Sequence, residues 1–81
     1  MITFEQAYNI AEKSENPDLK ISTAYDIGRG WYFGFVSIKT GEVPDISPIF
    51  VSKETGEIST FFPPDHIDEY LKAVKVELPE K

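Results

Sequence analysis

The sequence predicts a small α+β domain, with one helix at each end of a four-stranded antiparallel sheet. Two observations support this prediction. Apolar residues in segments 4–14 and 67–74 recur at helical spacing, whereas those between residues 19 and 62 alternate or form short runs that are typical of strands. Turns that contain glycine separate the strand-like runs. The order helix, meander, helix favours a two-layer arrangement with both helices on one face of the sheet.

Length and composition fit a single domain that spans residues 1–81. A chain of 81 residues buries only a little over ~60% of the surface that its unfolded form exposes, so its core must be dense. Six Phe, four Tyr and one Trp meet that requirement. The chain has no cysteine, which excludes a disulfide and a thiolate nucleophile.

The charge balance disfavours nucleic acids and membranes as partners. Fourteen acidic residues against eight Lys and Arg give a net charge of −6, which repels phosphate backbones and attracts basic proteins. No apolar run reaches the roughly 20 residues of a membrane helix, and no basic flank marks a signal peptide. We therefore predict a soluble, cytoplasmic protein. The alternative to a basic partner, to which we give equal weight, is that the acidic residues only keep the protein soluble.

The N-terminal helix is predicted to begin at Thr3 and to end between Ser14 and Asn16. Thr3 and Gln6 have the spacing of a capping box, in which each side chain bonds to the backbone N–H of the other. Pro17 disfavours helical geometry in the residue before it. The predicted apolar stripe is Phe4, Ala7, Tyr8 and Ala11.

A first hairpin is predicted around the loop Gly28, Arg29 and Gly30. Placing Gly30 in the left-handed conformation gives a three-residue loop and a register in which Tyr25 faces Phe33. In that register one face receives the helices. Its residues are Ile21, Tyr25, Ile27, Trp31, Phe33 and Phe35.

The second half of the chain predicts another hairpin and a helix. Segments 49–53 and 57–62 form strands around a turn in which Gly56 takes a positive φ. Asp65 is expected to cap the second helix, and a frayed tail is expected over residues 76–81, where Pro79 lies. The apolar stripe of that helix is Ile67, Tyr70, Leu71 and Val74. The edge of the second hairpin leaves a homodimer open.

No set of residues indicates a reaction. His66 lies beside Asp65 and Asp68, but a lone histidine at the start of a helix is more often solvated than catalytic. A metal site needs further ligands at a fixed spacing, and Gly28 and Gly30 do not precede a helix as a phosphate-binding loop does. We therefore predict no catalytic residue, no cofactor and no metal.

Loop residues are the candidates for binding a partner. Asp26 and Tyr32 are expected to lie opposite each other, with Arg29 at the hairpin tip, a combination typical of protein-binding anchors. An ordinary exposed hairpin end is the alternative, with equal weight. The candidate set is Asp18, Asp26, Arg29, Tyr32, Glu42 and Asp45.

Several segments together resemble the immunity protein 35 family of bacterial polymorphic toxin systems, which includes the YrhB-like small proteins. They are the opening MITFEQA, the aromatic strand at 31–35, the stretch from Pro48 to Val51 that leads into KETGEI at 53–58, and the acidic helix with Tyr70. The family often has an acidic residue where this chain has Ser52.

The resemblance implies a protein that binds its cognate toxin and blocks the active site or access to substrate, without catalysis. An acidic surface would steer a basic toxin into a fast encounter. Two alternatives stay open. One is a small heat-stable, chaperone-like accessory protein of the YrhB type, and the other is a small enzyme or ligand carrier with a deep polar pocket.

Overall fold

The fold is built on a five-stranded antiparallel sheet, in a computed structural model that describes residues 1–44, 48–61 and 63–79. The elements are α1 (Phe4–Ser14), β1 (Leu19–Asp26), β2 (Gly30–Ser37), β3 (Ile49–Ser52), β4 (Ile58–Thr60), a 3-10 turn (Pro63–Asp65), α2 (Ile67–Lys72) and β5 (Val74–Lys75). The strand order is β4-β3-β2-β1-β5. The predicted α+β class is confirmed, and β5 is a strand that the sequence did not indicate.

Helix α1 has the predicted boundaries. The Thr3 hydroxyl accepts from the Gln6 N–H at 3.1 Å, and the Gln6 side chain accepts from the Thr3 N–H at 2.9 Å, so the capping box forms. The Phe4 ring lies 5.8 Å from the rings of both Trp31 and Phe33, which fixes the helix on the sheet. The buried residues of the helix are Ala7, Tyr8 and Ala11.

The register of the first hairpin differs from the predicted one. Tyr25 pairs with Tyr32 rather than with the predicted Phe33. A bulge between Ile21 and Thr23 also interrupts the alternation along β1. A bulge adds one residue to one strand, so two odd-numbered residues on either side of it point to different faces of the sheet. Tyr25 and Ile27 therefore lie on the other face of the sheet from Ile21, and the prediction that all three share one face is wrong.

The two glycines of this loop have different roles from those predicted. Gly28 has the left-handed backbone, with φ of +93°, while Gly30 already belongs to β2. A Cβ at Gly30 would clash with the Phe50 ring and the Val51 carbonyl, so glycine is needed there for close approach. Gly56, with φ of +75°, has the predicted conformation.

Two hydrophobic clusters cover opposite faces of the sheet. Neighbouring residues of a strand point to opposite sides, so β2 and β3 contribute to both clusters. The first cluster, against α1, consists of Ala7, Tyr8, Ala11, Ile21, Ala24, Trp31, Phe33, Phe35, Ile49 and Val51. The second consists of Tyr32, Phe50 and Phe61, with Tyr25, Ile27 and Ala73 packed against it. The chain after β4 covers this second cluster, and the prediction that both helices lie on one face is wrong.

The C-terminal region departs furthest from the prediction. His66, not Asp65, is the N-cap of α2, and the helix ends after six residues because the chain crosses to the edge of β1. Val74 belongs to β5 rather than to a helical stripe. Val76 donates its N–H to a β1 carbonyl at 2.9 Å and packs with Leu78 against the first cluster. Val76 and Leu78 thus contact the core, and fraying of residues 76–81 stays a prediction, while residues 62, 80 and 81 lie outside the described ranges.

A candidate protein-binding surface

The structure separates the predicted contact residues into two groups. Asp26 and Arg29 lie where β1 runs into the loop before β2. Asp18 and Glu42 lie at the other end of the hairpin, where their carbonyls accept from two consecutive backbone N–H groups at the end of β2. An eight-residue strand spans about 25 Å, so these are separate surfaces. Asp45 lies outside the described residues.

Tyr32 is a buried residue of the second cluster and packs beneath the surface of the hairpin. Its side chain is only 6% exposed and stacks on Tyr25 and Phe61, with ring centroids 5.0 and 4.5 Å away. Burial raises the pKa of Tyr32 to about 12, with smaller contributions from Tyr70 and Tyr25. The prediction that Tyr32 lies opposite Asp26 is wrong, because the register pairs it with Tyr25. Its burial leaves little surface for a partner to contact.

Arg29 is held in place at the hairpin tip. Its Nε and Nη2 donate to the two carboxylate oxygens of Glu69 at 2.7 and 2.9 Å. Its guanidinium also lies 4.4 Å from the centroid of the Phe50 ring. Bidentate pairing and contact with an aromatic face both suit the planar guanidinium. The side chain is still about half exposed, so Arg29 presents a fixed positive charge at the surface.

Glu69 joins this tip to the chain segment that covers the second cluster. The hydrogen bond from Arg29 lowers the pKa of Glu69, burial opposes that shift, and His66 lowers it further. His66 Nδ1 lies 3.2 Å from the same carboxylate, and its ring stacks on Phe61 at 5.3 Å. The only histidine of the chain is therefore one of the groups that position α2 over the sheet.

A second ion pair joins the two hairpins. Lys53 Nζ donates to both carboxylate oxygens of Asp26, at 3.0 and 2.9 Å, and lies 5.1 Å from the centroid of the Trp31 ring. The Gly28 N–H donates to the same carboxylate at 2.8 Å. Burial acts to raise the pKa of Asp26, but these hydrogen bonds outweigh it, and the net pKa is lower than usual. Asp26 is thus ionised at neutral pH.

We call Asp26, Arg29, Phe50, Lys53 and Glu69 the hairpin-end surface. A hollow of about 360 Å³ adjoins it, and Arg29, Phe50 and Lys53 are among the residues that line the hollow. Within residues 1–44, 48–61 and 63–79, no group of three or more His, Cys, Asp or Glu side chains is arranged to hold a metal ion. The surface offers fixed charges over the buried ring of Phe50, an arrangement in which the charged side chains, and not the ring, are open to another protein.

Sequence reasoning missed Lys53 and Glu69. They lie 27 and 40 residues from Asp26 and Arg29, respectively, and neither has a local motif that marks it. The one available signal was charge, since each is opposite in sign to a residue already chosen as a contact candidate. With many acidic and basic residues to pair, that signal does not select a partner.

No protein-family model, characterised protein or solved structure matches this chain. Fold and site together define a small antiparallel α+β domain with a charge-paired surface at one end of its sheet. The resemblance to the immunity protein 35 family stays a prediction. In the part of the chain that the structure describes, no helix has the length and apolar character needed to cross a bilayer.

Proposed function

We propose that this protein is an immunity protein, which binds a cognate bacterial toxin and blocks its active site or its access to substrate. The observation that supports this most is Arg29, which is half exposed yet fixed by Glu69 and Phe50. A side chain that is already fixed loses little entropy on binding, and arginine is enriched among the residues that dominate interface energies. A preformed surface of this kind suits inhibition by occlusion.

The net charge of the chain favours a basic toxin. At the hairpin-end surface itself, Asp26 and Glu69 are ionised but balanced by Lys53 and Arg29. The chain as a whole carries −6, and the exposed Asp18 and Glu42 add to the field at the other end of the sheet. Such a field accelerates encounter with a basic partner and weakens as salt is added. A cytoplasmic location belongs to this proposal, because the antidote must be present where its toxin is made.

Co-expression with the product of the neighbouring reading frame tests the proposal. If that product is the toxin, wild-type protein should restore growth and form a 1:1 complex with it. Arg29→Ala should weaken the complex tenfold or more, because removal of an interface anchor costs ~2 kcal/mol. Lys39→Ala is the matched control, since Lys39 is exposed near the other end of the hairpin.

Glu69→Ala separates contact from folding. It breaks the same ion pair as Arg29→Ala but keeps the guanidinium. A much smaller loss of binding in Glu69→Ala than in Arg29→Ala would indicate that Arg29 touches the toxin. Wild-type protein that neither restores growth nor forms a complex would contradict the proposal.

A chaperone-like accessory protein is the second candidate. The observation that favours it is a set of exposed apolar side chains in segment 67–74, because such patches bind apolar segments of other proteins. This function predicts that the protein suppresses aggregation of several unrelated unfolded proteins. An immunity protein would instead bind one folded partner with a saturable 1:1 stoichiometry.

A further inference from the structure

Half of the exposed large apolar side chains among the described residues lie in one short segment. They are Met1, Ile38, Val43, Ile58, Ile67, Tyr70, Leu71 and Val74, and the last four fall within residues 67–74. Ile67 and Leu71 are four positions apart on α2, so they lie side by side. We call Ile67, Tyr70, Leu71 and Val74 the α2 patch.

The charges around the α2 patch balance, unlike those of the chain as a whole. Glu69 is already paired with Arg29. The remaining charges are Asp65 and Asp68 at one end and Lys72 and Lys75 at the other. Two copies of a chain with a net charge of −6 repel each other over much of their surface. At the α2 patch that repulsion is absent, because the acidic residues at one end of the patch are balanced by the basic residues at the other end.

We propose that the α2 patch binds a second copy of this chain across a twofold axis. Two α2 helices in antiparallel orientation bring the acidic end of one against the basic end of the other, so that Asp68 faces the partner's Lys72 twice. Ile67 and Leu71 then pack between the helices. Among the described residues, neither Asp68 nor Lys72 has an ion pair within its own chain, so both are available for this contact.

This contact leaves the hairpin-end surface free. Glu69 lies two residues from both Ile67 and Leu71, which places it on the opposite side of α2. The inference therefore does not depend on the proposed function. Because α2 has six residues and is about 9 Å long, the buried area is small and the dimer is weak.

Sedimentation equilibrium from about 10 μM to about 1 mM tests the proposal, since this range spans weak association. Wild-type protein should shift from monomer to dimer. Leu71→Glu should weaken the dimer at least tenfold, and Val43→Glu should leave it unchanged. Leu71 is 75% exposed and Val43 is 78% exposed, so the two variants are matched in burial.

A wild-type protein that stays monomeric over this range overturns the proposal. So does an equal loss of the dimer in Leu71→Glu and Val43→Glu. If monomeric wild-type protein showed shifts of its α2 amide resonances only on addition of a toxin or an unfolded client, the patch would belong to that partner instead.

Exchange of charges tests the orientation of the two helices. Asp68→Lys creates Lys–Lys contacts, and Lys72→Asp creates Asp–Asp contacts, so each variant alone should be monomeric. Mixed in equal amounts, the two should form a heterodimer, because each contact again joins Lys to Asp. Circular dichroism checks that both variants are folded. A mixture of folded variants that stays monomeric overturns the antiparallel arrangement.

Discussion

Replacing Phe61 by Ala should remove a large share of the stability of this domain. Phe61 is 1% exposed, and its ring lies nearly parallel to that of Tyr32, with centroids 4.5 Å apart. His66 stacks on the same ring at 5.3 Å. Truncation of a buried Phe to Ala costs ~3–5 kcal/mol, because apolar contacts are lost and a cavity remains. We expect a loss of about 4 kcal/mol in the free energy of unfolding.

This loss is large relative to the whole. At ~0.05–0.15 kcal/mol per residue, a chain of 81 residues is stable by about 4–12 kcal/mol. Urea unfolding followed by far-ultraviolet circular dichroism should show the midpoint fall by about 2–3 M, for an m-value of about 1.5 kcal/mol/M. Phe61→Leu should cost less than about 1.5 kcal/mol, because most of the apolar volume is retained.

A change on the same β-hairpin serves as a control for position. Ile58→Ala, at an exposed site on β4, should cost less than about 1 kcal/mol. If Phe61→Ala cost no more than Ile58→Ala, the inference that a second cluster covers this face of the sheet would be refuted.

Three further predictions concern the turn, the buried tyrosine and the ion pair. Gly30→Ala should lower the free energy of unfolding by about 3 kcal/mol, because the new Cβ meets rigid backbone. Gly28→Ala should lower it by about 1 kcal/mol, from the positive φ alone. The reverse ranking in urea titrations would contradict this prediction. In an alkaline spectrophotometric titration, one tyrosine should ionise with a pKa of about 12, and Tyr32→Phe should abolish that step. If the step persisted in the variant, its assignment to Tyr32 would be wrong. The folded-state pKa of Asp26 lies below its usual value of 3.8, so its stabilising effect is present above that value and is lost as pH falls through the folded-state pKa. Asp26→Asn should therefore cost up to about 1 kcal/mol near neutral pH and little in strong acid, and an equal cost at both would argue against the ion pair.

Local sequence signals were sufficient for α1 and for the turn of the second hairpin. The capping box needs only the four positions from Thr3 to Gln6, and Pro17 explains why the helix ends before it. Gly56 lies in a short turn between two apolar runs, so its positive φ was also a local property. Each of these features is decided by neighbours along the chain.

The register of the first hairpin depends on a compensation between strands. Gly34 pairs with Thr23 at the bulge, and a Cβ at Gly34 would lie 2.6 Å from the Thr23 hydroxyl oxygen. A glycine on β2 thus makes room for the extra residue on β1. Alternation of apolar residues along β1 alone contains no sign of this shift. The predicted register is also one residue off at the loop itself, where Asp26 pairs with Trp31 and Gly28 rather than Gly30 has the left-handed backbone.

The C-terminal segment and the ion pairs depend on contacts that are remote in sequence. The periodicity of segment 67–74 predicted a longer helix, but Val74 pairs with Asp26 at the edge of β1. That pairing satisfies backbone groups of β1 that an edge strand would leave open. Similarly, Lys53 and Glu69 become parts of the site only once the two hairpins and α2 are assembled.

The division of aromatic residues between the two faces of the sheet gives this protein two intrinsic optical reporters. Trp31, the single tryptophan, lies in the first cluster, whereas Tyr25 and Tyr70 both stack on Tyr32 at the second. Tryptophan emission therefore follows the side under α1, and the near-ultraviolet dichroism of stacked tyrosines follows the other. Melting curves recorded by both signals on one unlabelled sample would reveal the order in which the two sides detach from the sheet.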